Sequence, residues 1–420
     1  MEEEREEGGS DGGLRGSGVA LMCVYAFCLQ FTPSEPYLVP FLTKVKGFSN
    51  NVVTTEIFPV SVYSTLVFTL LAAPACTYLK YRSVILIGTL GRLSTFFILL
   101  FGRSLLSMQL MQATYALGVA SDLVFSSYLF VLVKENMYQS LTSFTQASST
   151  FSFFIAAELS QLLVSEGVNL IVLLYISTCM VALALVACVF LPVEMRHWID
   201  VSSLGDLELD WETPTSSCQN FVELVKATWS NRSLQLLSLW WAFQLGGTAM
   251  IENYGTNLFD AVDPTSIYNG HVIAATQGAS CVAALIAVPA SRYTSKAGGL
   301  LYAGGSGLTW LLCVVLSRSK ALWIVHAAYI LCVALNKFLL CILYVQCARF
   351  LSHGHFIFLF SLNAVAALLV QSSLQAFVEV LNANLSAQFY YVGNYFLLLT
   401  IVFAVLVKAY YQSSNATLLR

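Results

Sequence analysis

Long apolar runs separated by short polar stretches make up almost the whole chain. A helix that crosses a bilayer needs about 20 consecutive, mostly apolar residues, and twelve such windows occur in the sequence. They predict spans at 18–42, 57–79, 83–102, 105–133, 138–163, 168–192, 233–255, 270–291, 298–317, 321–347, 354–380 and 386–410. One long hydrophilic stretch, 193–232, interrupts them, so that six spans precede it and six follow it.

Six spans on either side of a polar loop predict two helical bundles. An all-α membrane protein of this kind resembles the major facilitator architecture, in which two six-helix bundles move about a site near the middle of the bilayer. The predicted organisation is an acidic disordered cytoplasmic tail (1–17), an N-terminal bundle (18–192), a cytoplasmic central loop (193–232), a C-terminal bundle (233–410) and a second cytoplasmic tail (411–420).

Composition and charge agree with this picture. Hydrophobic residues make up 57% of the chain and charged residues 10%, with a mean hydropathy of +0.73, so lipid is the expected solvent for most of it. Lys and Arg accumulate in cytoplasmic loops. Placing both termini in the cytoplasm leaves few basic residues in the outer loops, namely Lys44, Lys46, Arg103, Arg318 and Lys320.

The sequence signatures of common enzymes are missing. The chain has no P-loop, no nucleophile elbow, no HExxH site and no dinucleotide-binding glycine motif. Its 11 cysteines lie mostly within the spans without CxxC spacing, which is typical of packing. We expect no enzyme activity, no cofactor, no bound metal and no nucleic-acid partner.

Ionisable side chains within the spans are the candidates for function. A charge at the centre of a lone helix costs about 2.5–3.5 kcal/mol on insertion scales, so such residues usually face a water-filled path or a partner. Those well inside their spans are Glu35, Asp122, Glu158 and Lys337. Glu56, Arg92, Glu252 and Glu379 are assigned to positions nearer the helix ends, where we expect them to reach the interface.

Asp122 and Lys337 lie at similar depth in spans four and ten. Asp122 either binds a cation or a proton, or forms a structural ion pair with Lys337. Glu158 lies closer to the outer end of span five, where a hydrated structural position and a functional role both stay open.

Glu35 stands among prolines in helix one. Pro33, Pro36 and Pro40 remove backbone donors and open the helix, which frees carbonyls that lipid cannot satisfy but a cavity can. The pattern therefore predicts a broken helix with Glu35 facing a cavity.

The stretch PSEPYLVPFL at 33–42 resembles the helix-one signature of the reduced folate and thiamine carrier family. Further stretches resemble family motifs in the same order, among them TTEIFPVSVYS at 54–64, SLWWAFQLGG at 238–247 and ENYGTNLFD at 252–260. These stretches cover both halves of the chain. The resemblance implies the major facilitator fold and the transport of water-soluble vitamins, chiefly folates and thiamine.

The resemblance also implies a choice of substrate by charge. Folate carriers place basic residues in the cavity and thiamine carriers place acidic ones, and Asp122 and Gln371 match the thiamine branch. Asp122 is expected to pair with the aminopyrimidine or the positive charge of thiamine, while Phe58 and Phe125 stack on its rings. The substrate site that the resemblance implies is Glu35, Phe58, Asp122, Phe125, Asn269 and Gln371, with Lys337 and Glu158 as candidate charge or coupling residues.

Some positions depart from the thiamine-carrier pattern. Ser61 stands in place of a Trp, and Phe125 in place of a Tyr. Lys337 lies one helical turn after the family's basic position, here Val333, and positions four apart share a helix face. Lys337 therefore keeps an anionic or zwitterionic vitamin open as the alternative.

We expect a plasma-membrane protein that takes up thiamine or a related organic cation by alternating access. Its partners are the vitamin and membrane lipid, and proton coupling through Asp122 or Glu35 stays open. The alternatives are a reduced folate carrier and a non-transporting vitamin sensor with a carrier fold.

Overall fold

The computed structural model describes residues 16–192, 229, 231–263, 269–297, 299–351, 356–381 and 384–418. The predicted tail at 1–17 and the predicted loop at 193–232 therefore lie almost wholly outside the described residues. Twelve helices of 15 residues or more lie in the described part, as the apolar windows predict. They are α1 (Gly16–Gln30), α2 (Phe58–Leu79), α3 (Tyr81–Phe101), α4 (Leu105–Leu132), α5 (Tyr138–Ser165), α6 (Leu170–Val189), α7 (Arg232–Val262), α8 (Asn269–Ala297), α9 (Gly299–Arg318), α10 (Leu322–Phe350), α11 (Phe356–Val380) and α12 (Leu385–Leu418).

The helices pack as two bundles of six. In the N-terminal bundle α3 packs on α4 and α6, and α1 packs on α5 and α6. In the C-terminal bundle α9 packs on α12, and α7 packs on α10 and α11. The bundles meet where α5 lies along α8 and where α2 and α4 contact α11. This arrangement is the predicted two-bundle architecture.

Several helices are longer than the hydropathy pattern predicts. α7 continues to Val262 rather than ending at 255, α8 continues to Ala297 rather than ending at 291, and α12 continues to Leu418 rather than ending at 410. A hydropathy window closes where polar residues begin, but backbone hydrogen bonding does not stop there.

Among the described helices, α7 is the one that is not apolar enough to be recognised as a membrane span by composition. Two of its polar side chains, Trp240 and Gln244, are bound within the bundle. The Gln244 amide oxygen accepts a hydrogen bond from the Ser306 hydroxyl of α9 at 2.8 Å, and the Trp240 indole donates to the same hydroxyl at 2.9 Å. α7 is therefore compatible with the bilayer as a member of the bundle.

Helix one breaks where its prolines predict. α1 ends at Gln30, and short helical turns resume at Glu35–Tyr37, Leu38–Pro40 and Phe41–Val45. The backbone N–H of Ser34 donates to the Ser177 hydroxyl of α6 at 3.2 Å. A neighbouring hydroxyl thus satisfies a backbone group within the break, as buried irregular backbone requires.

The two bundles are closed on one side of the membrane. We call this side the terminal face; there α1 begins, α6 ends and α7 begins. Consecutive residues of α11 from Phe356 to Phe360 are all buried, at 0–6% exposure. Phe130 of α4 packs against them, with ring centroids 5.5 Å from Phe356 and 5.8 Å from Phe360. Arg349 adds an ion pair with Glu135 at 3.4 Å between the bundles.

Toward the other side, which we call the opposite face, α2 and α11 lose this burial. At the terminal face Ala73 of α2 and Phe358 of α11 belong to one buried cluster. Farther along α11, Leu369 is 57% exposed and Phe377 is 53% exposed, and Val62 of α2 is 54% exposed. The bundles are therefore tightly sealed at the terminal face, where α2 and α11 share a buried cluster.

Candidate functional site

Asp122 on α4 is bound by a guanidinium, but not by the lysine that the sequence suggested. Arg92 of α3 donates from Nη2 to Asp122 Oδ2 at 2.9 Å. Gln30, the last residue of α1, donates to the same oxygen at 3.4 Å. The Arg92 side chain is 4% exposed and that of Asp122 is 32% exposed, so the carboxylate reaches solvent-accessible space inside the protein. The alternative in which Asp122 forms a structural pair with Lys337 is wrong, because the partner, Arg92, comes from the same bundle.

The expectation that Arg92 reaches the membrane interface is also wrong. α3 runs from Tyr81 to Phe101, so at 1.5 Å per residue Arg92 lies about 14–17 Å from either end. That distance is too long for the side chain to bridge. A buried guanidinium needs a charged partner, and Asp122 supplies it.

Glu35 belongs to the same polar network through Tyr115. The Tyr115 hydroxyl donates to Glu35 Oε1 at 3.1 Å, and the Thr32 hydroxyl donates to Oε2 at 2.8 Å. The guanidinium carbon of Arg92 lies 4.9 Å from the centre of the Tyr115 ring, which is a cation–π contact. We call Glu35, Tyr115, Arg92 and Asp122 the acidic network. It holds two carboxylates and one guanidinium, so it is negative overall when both acids are ionised.

The spacing of residues on α4 builds this network. Tyr115, Gly118 and Asp122 are three and four residues apart and therefore share one helix face. Gly118 gives the guanidinium its space, because a Cβ there would lie 3.2 Å from the Cδ and Nε atoms of Arg92. One face of α4 thus provides an aromatic ring, a gap and a carboxylate for Arg92.

The two predicted stacking residues have different surroundings. Phe125 is 8% exposed and packs on Tyr25, with ring centroids 4.8 Å apart. Its burial leaves little ring face for a ligand, so the predicted stacking role does not fit this conformation. Phe58 begins α2 and is half-buried, packed against the cluster that contains Phe41 and Ile57.

The C-terminal bundle contributes a second set of charges. Lys337, at the middle of α10, donates from Nζ to the Gln146 amide oxygen of α5 at 3.2 Å, which links the two bundles. Glu252 of α7 has an exposed side chain and lies 20 residues after Arg232, where α7 begins, which is about the length of a membrane span. The expectation that Glu252 reaches the interface stays a prediction.

The remaining predicted residues do not join either set. Gln371 lies half-buried on α11, on the half nearer the opposite face. Asn269 is the first residue of α8, and its side chain lies outside the described residues. Glu158 of α5 accepts a contact from His271 Nδ1 of α8 at 2.9 Å, so it joins the bundles toward the opposite face.

Sequence reasoning missed Tyr115 and His271. Tyr115 precedes Asp122 by seven residues, a helical spacing that places both on one face and could have indicated the contact. His271 had no such signal, because its partner Glu158 is distant in sequence. Within the part of the chain that the structure describes, no three His, Cys, Asp or Glu side chains are grouped to hold a metal ion.

Two six-helix bundles that meet along their inner helices are the architecture of the major facilitator fold. Solved structures agree on the fold. A major facilitator transporter, FucP, in the outward conformation, matches with a TM-score of 0.67 over 92% of this chain and 98% of that chain, at 14% identity. The E. coli fucose:proton symporter FucP matches with a TM-score of 0.64 at 12% identity, with the same coverage.

The chain belongs to the reduced folate carrier family, whose model matches residues 17–203 and 202–392. Thiamine transporter 1 of Mus musculus is 28% identical over 91% of this chain and 88% of its own length. The reduced folate transporter of Homo sapiens is 29% identical over 92% of this chain and 71% of its own length. Folate transporter 1 of Caenorhabditis elegans is 24% identical over 94% and 93%, respectively. The resemblance carried by PSEPYLVPFL and the motifs after it is confirmed.

Proposed function

We propose that this member of the vitamin-transporter family carries thiamine, or a closely related organic cation, into the cell across the plasma membrane. The observation that carries the proposal is the acidic network, which holds two carboxylates and only one guanidinium and leaves the Asp122 side chain 32% exposed. A negative wall in a low-dielectric cavity attracts a cation. Relatives named as thiamine transporters support the same substrate class.

The basic loops support this direction of transport. Lys80, Arg82, Lys134 and Arg349 lie at terminal-face helix ends, and Lys and Arg accumulate on the cytoplasmic side, which supports a cytoplasmic terminal face. Because the terminal face is the sealed one, the protein in this conformation accepts solute from outside. Release then requires the buried end of α11 to separate from α4 while the opposite face closes, as in rigid-body alternating access.

A reduced folate carrier is the alternative, and Lys337 is the observation that favours it. Lys337 has a neutral amide as its hydrogen-bond partner and could pair with an anion. Arg92 is already paired with Asp122. The acidic network has two carboxylates and one guanidinium, and this excess of negative charge favours the cation.

The experiment is uptake of labelled thiamine and, separately, of labelled folate by cells that express the wild type or Glu35→Gln. The substitution removes one negative charge but keeps an oxygen that can accept from Thr32 or Tyr115. Loss of one charge-assisted contact, about 1.5–3 kcal/mol, predicts a fall in thiamine uptake of roughly tenfold to a hundredfold. Glu166→Gln, at an exposed position after α5, is the matched control.

Other results would contradict the proposal. Folate uptake without thiamine uptake by the wild type would favour the anionic alternative. Thiamine uptake equally strong in Glu35→Gln and Glu166→Gln would remove the acidic network from the site. In sealed vesicles a carrier accumulates labelled vitamin in the lumen beyond one molecule per protein. A sensor that only binds the vitamin retains at most one labelled molecule per binding site. Repeating the uptake with an imposed pH gradient tests proton coupling.

A further inference from the structure

A polar contact between α5 and α8 joins the two bundles toward the opposite face. Glu158 lies seven residues before Ser165, where α5 ends, and His271 is the third residue of α8, which begins at Asn269. The His271 Nδ1 atom lies 2.9 Å from Glu158 Oε2. At 1.5 Å per residue, both residues are within about 10 Å of these helix ends. The contact therefore connects the bundles near the opposite face rather than at mid-membrane.

The break in helix one reaches the same place. Gln161 of α5 accepts a hydrogen bond from the Tyr37 hydroxyl at 2.7 Å. Gly270 of α8 packs so closely on this amide that a Cβ at Gly270 would lie 2.7 Å from the Gln161 Oε1 atom. α5, α8 and the short turn Glu35–Tyr37 therefore meet here. A change in the spacing of α5 and α8 acts directly on the turn that carries Glu35.

Solvent reaches both partners of the contact. The His271 side chain is 48% exposed and that of Glu158 is 38% exposed. Histidine is the side-chain type that ordinarily changes its charge between pH 5 and 8. When the imidazole is protonated it forms an ion pair with the carboxylate, and when it is neutral it offers a single hydrogen bond at most. The attraction between the bundles at this point is therefore stronger in acid and weaker as the pH rises.

Other titratable and charged groups lie toward the opposite face on the elements around α5 and α8. They are Glu35, Tyr37, Lys44 and Lys46 of helix one, Arg103 and Tyr115 at α4, Glu166 after α5, Glu252, Tyr254, Asp260 and Asp263 at α7, Arg318 and Lys320 at α9, and His326 and Tyr329 of α10. His326 is the other histidine in the described part of the chain. Its ring packs on that of Phe259 with centroids 4.7 Å apart, which is a contact within the C-terminal bundle. His326 therefore provides a comparison with His271, whose contact lies between the bundles.

We propose that His271 and Glu158 form a pH-responsive clasp, which holds the bundles together toward the opposite face when His271 is protonated. An acidic medium then favours closure of this face, and a neutral or alkaline medium releases it. The clasp acts on the conformational step that admits solute and not on the choice of substrate. It rests on the alternating access of two bundles.

The test measures conformation without any substrate. The full chain is placed in lipid nanodiscs, where one buffer bathes both faces. Spin labels are carried by non-natural residues at Val62 of α2 and Phe377 of α11, two exposed positions in different bundles, so that the 11 native cysteines stay unlabelled. Lowering the pH from 8 to 5 should raise the ratio of short to long distances about 1.5-fold to fivefold, the range for an exposed ion pair.

The variants separate the clasp from other effects of pH. His271→Gln keeps a hydrogen-bonding amide that does not titrate, so the response to pH should be lost, and Glu158→Gln should lose it in the same way. His271→Lys carries its charge throughout this range and should keep the short distances at pH 8. His326→Gln is the matched control and should respond as the wild type does.

A response that persists in His271→Gln, or a wild type that does not respond, overturns the inference. A His271→Lys variant that opens at pH 8 as the wild type does would overturn it as well. Since no vitamin is present, each of these results is independent of the proposed function.

Discussion

Replacing Asp122 by Asn and Arg92 by Gln, singly and together, separates the charge of the site from its contribution to stability. The two side chains form one ion pair, but their surroundings differ. Arg92 is 4% exposed, and Asp122 is 32% exposed. The cost of losing a partner should therefore depend on which partner is lost.

The magnitudes follow from that difference. Asp122→Asn leaves a buried guanidinium without its counter-charge, which costs about 3–5 kcal/mol. Arg92→Gln leaves a carboxylate that cavity water reaches, so the cost is closer to that of an unsatisfied polar group, about 1–3 kcal/mol. The double variant removes both charges and should be more stable than Asp122→Asn alone, because no unpaired buried charge remains.

Thermal unfolding of the purified variants, followed by thiamine uptake in proteoliposomes, measures both effects. The expected order of unfolding temperature is wild type, Arg92→Gln, then Asp122→Asn, with the double variant above Asp122→Asn. The double variant keeps Glu35 as its carboxylate, so the net charge of the acidic network is unchanged and uptake should exceed that of Asp122→Asn.

Additive losses would refute this reasoning. If the double variant loses as much stability as the two single variants combined, then the pair has no interaction energy in the folded protein. An Asp122→Asn variant as stable as the wild type would likewise contradict the 2.9 Å contact.

Two further substitutions test the surroundings of the site and the seal. Gly118→Ala should weaken thiamine binding, because the added Cβ would lie 3.2 Å from Arg92. Gly304→Ala is the control, since a Cβ there meets nothing within 4 Å and should leave binding unchanged. Equal thiamine affinities of the two variants in direct binding measurements would contradict this expectation. Arg349→Gln breaks the 3.4 Å pair with Glu135. A partly exposed pair contributes at most about 1 kcal/mol, so the terminal face should open up to about fivefold more often. Distances between spin labels at the terminal-face ends of α4 and α10 would report this, and an unchanged distribution would argue against a role for the pair.

The helices and the break in helix one could be predicted because their causes are local. Apolar length determines the spans, and Pro33, Pro36 and Pro40 end the regular hydrogen bonding of α1. The partner of Asp122 was not predictable in the same way. A sequence gives depth along a helix, but it does not give the rotation of α3 and α10 relative to α4, which decides whether Arg92 or Lys337 reaches the carboxylate.

The depth of Arg92 could be read from the sequence, because the predicted span 83–102 already placed it at mid-helix, too deep to reach either interface. Its burial could have been predicted from depth alone, and a buried arginine would have called for a carboxylate partner.

The polarity of α7 has a consequence for how the protein is made. The partners of Gln244 in α9, Ser306 and Thr309, are synthesised more than sixty residues after it. As the chain leaves the ribosome, α7 therefore meets the translocon before these partners exist, and residues such as Glu252 oppose its partition into lipid. We expect α7 to be retained at the translocon until α9 emerges, so that the C-terminal bundle is assembled from several helices together rather than one at a time.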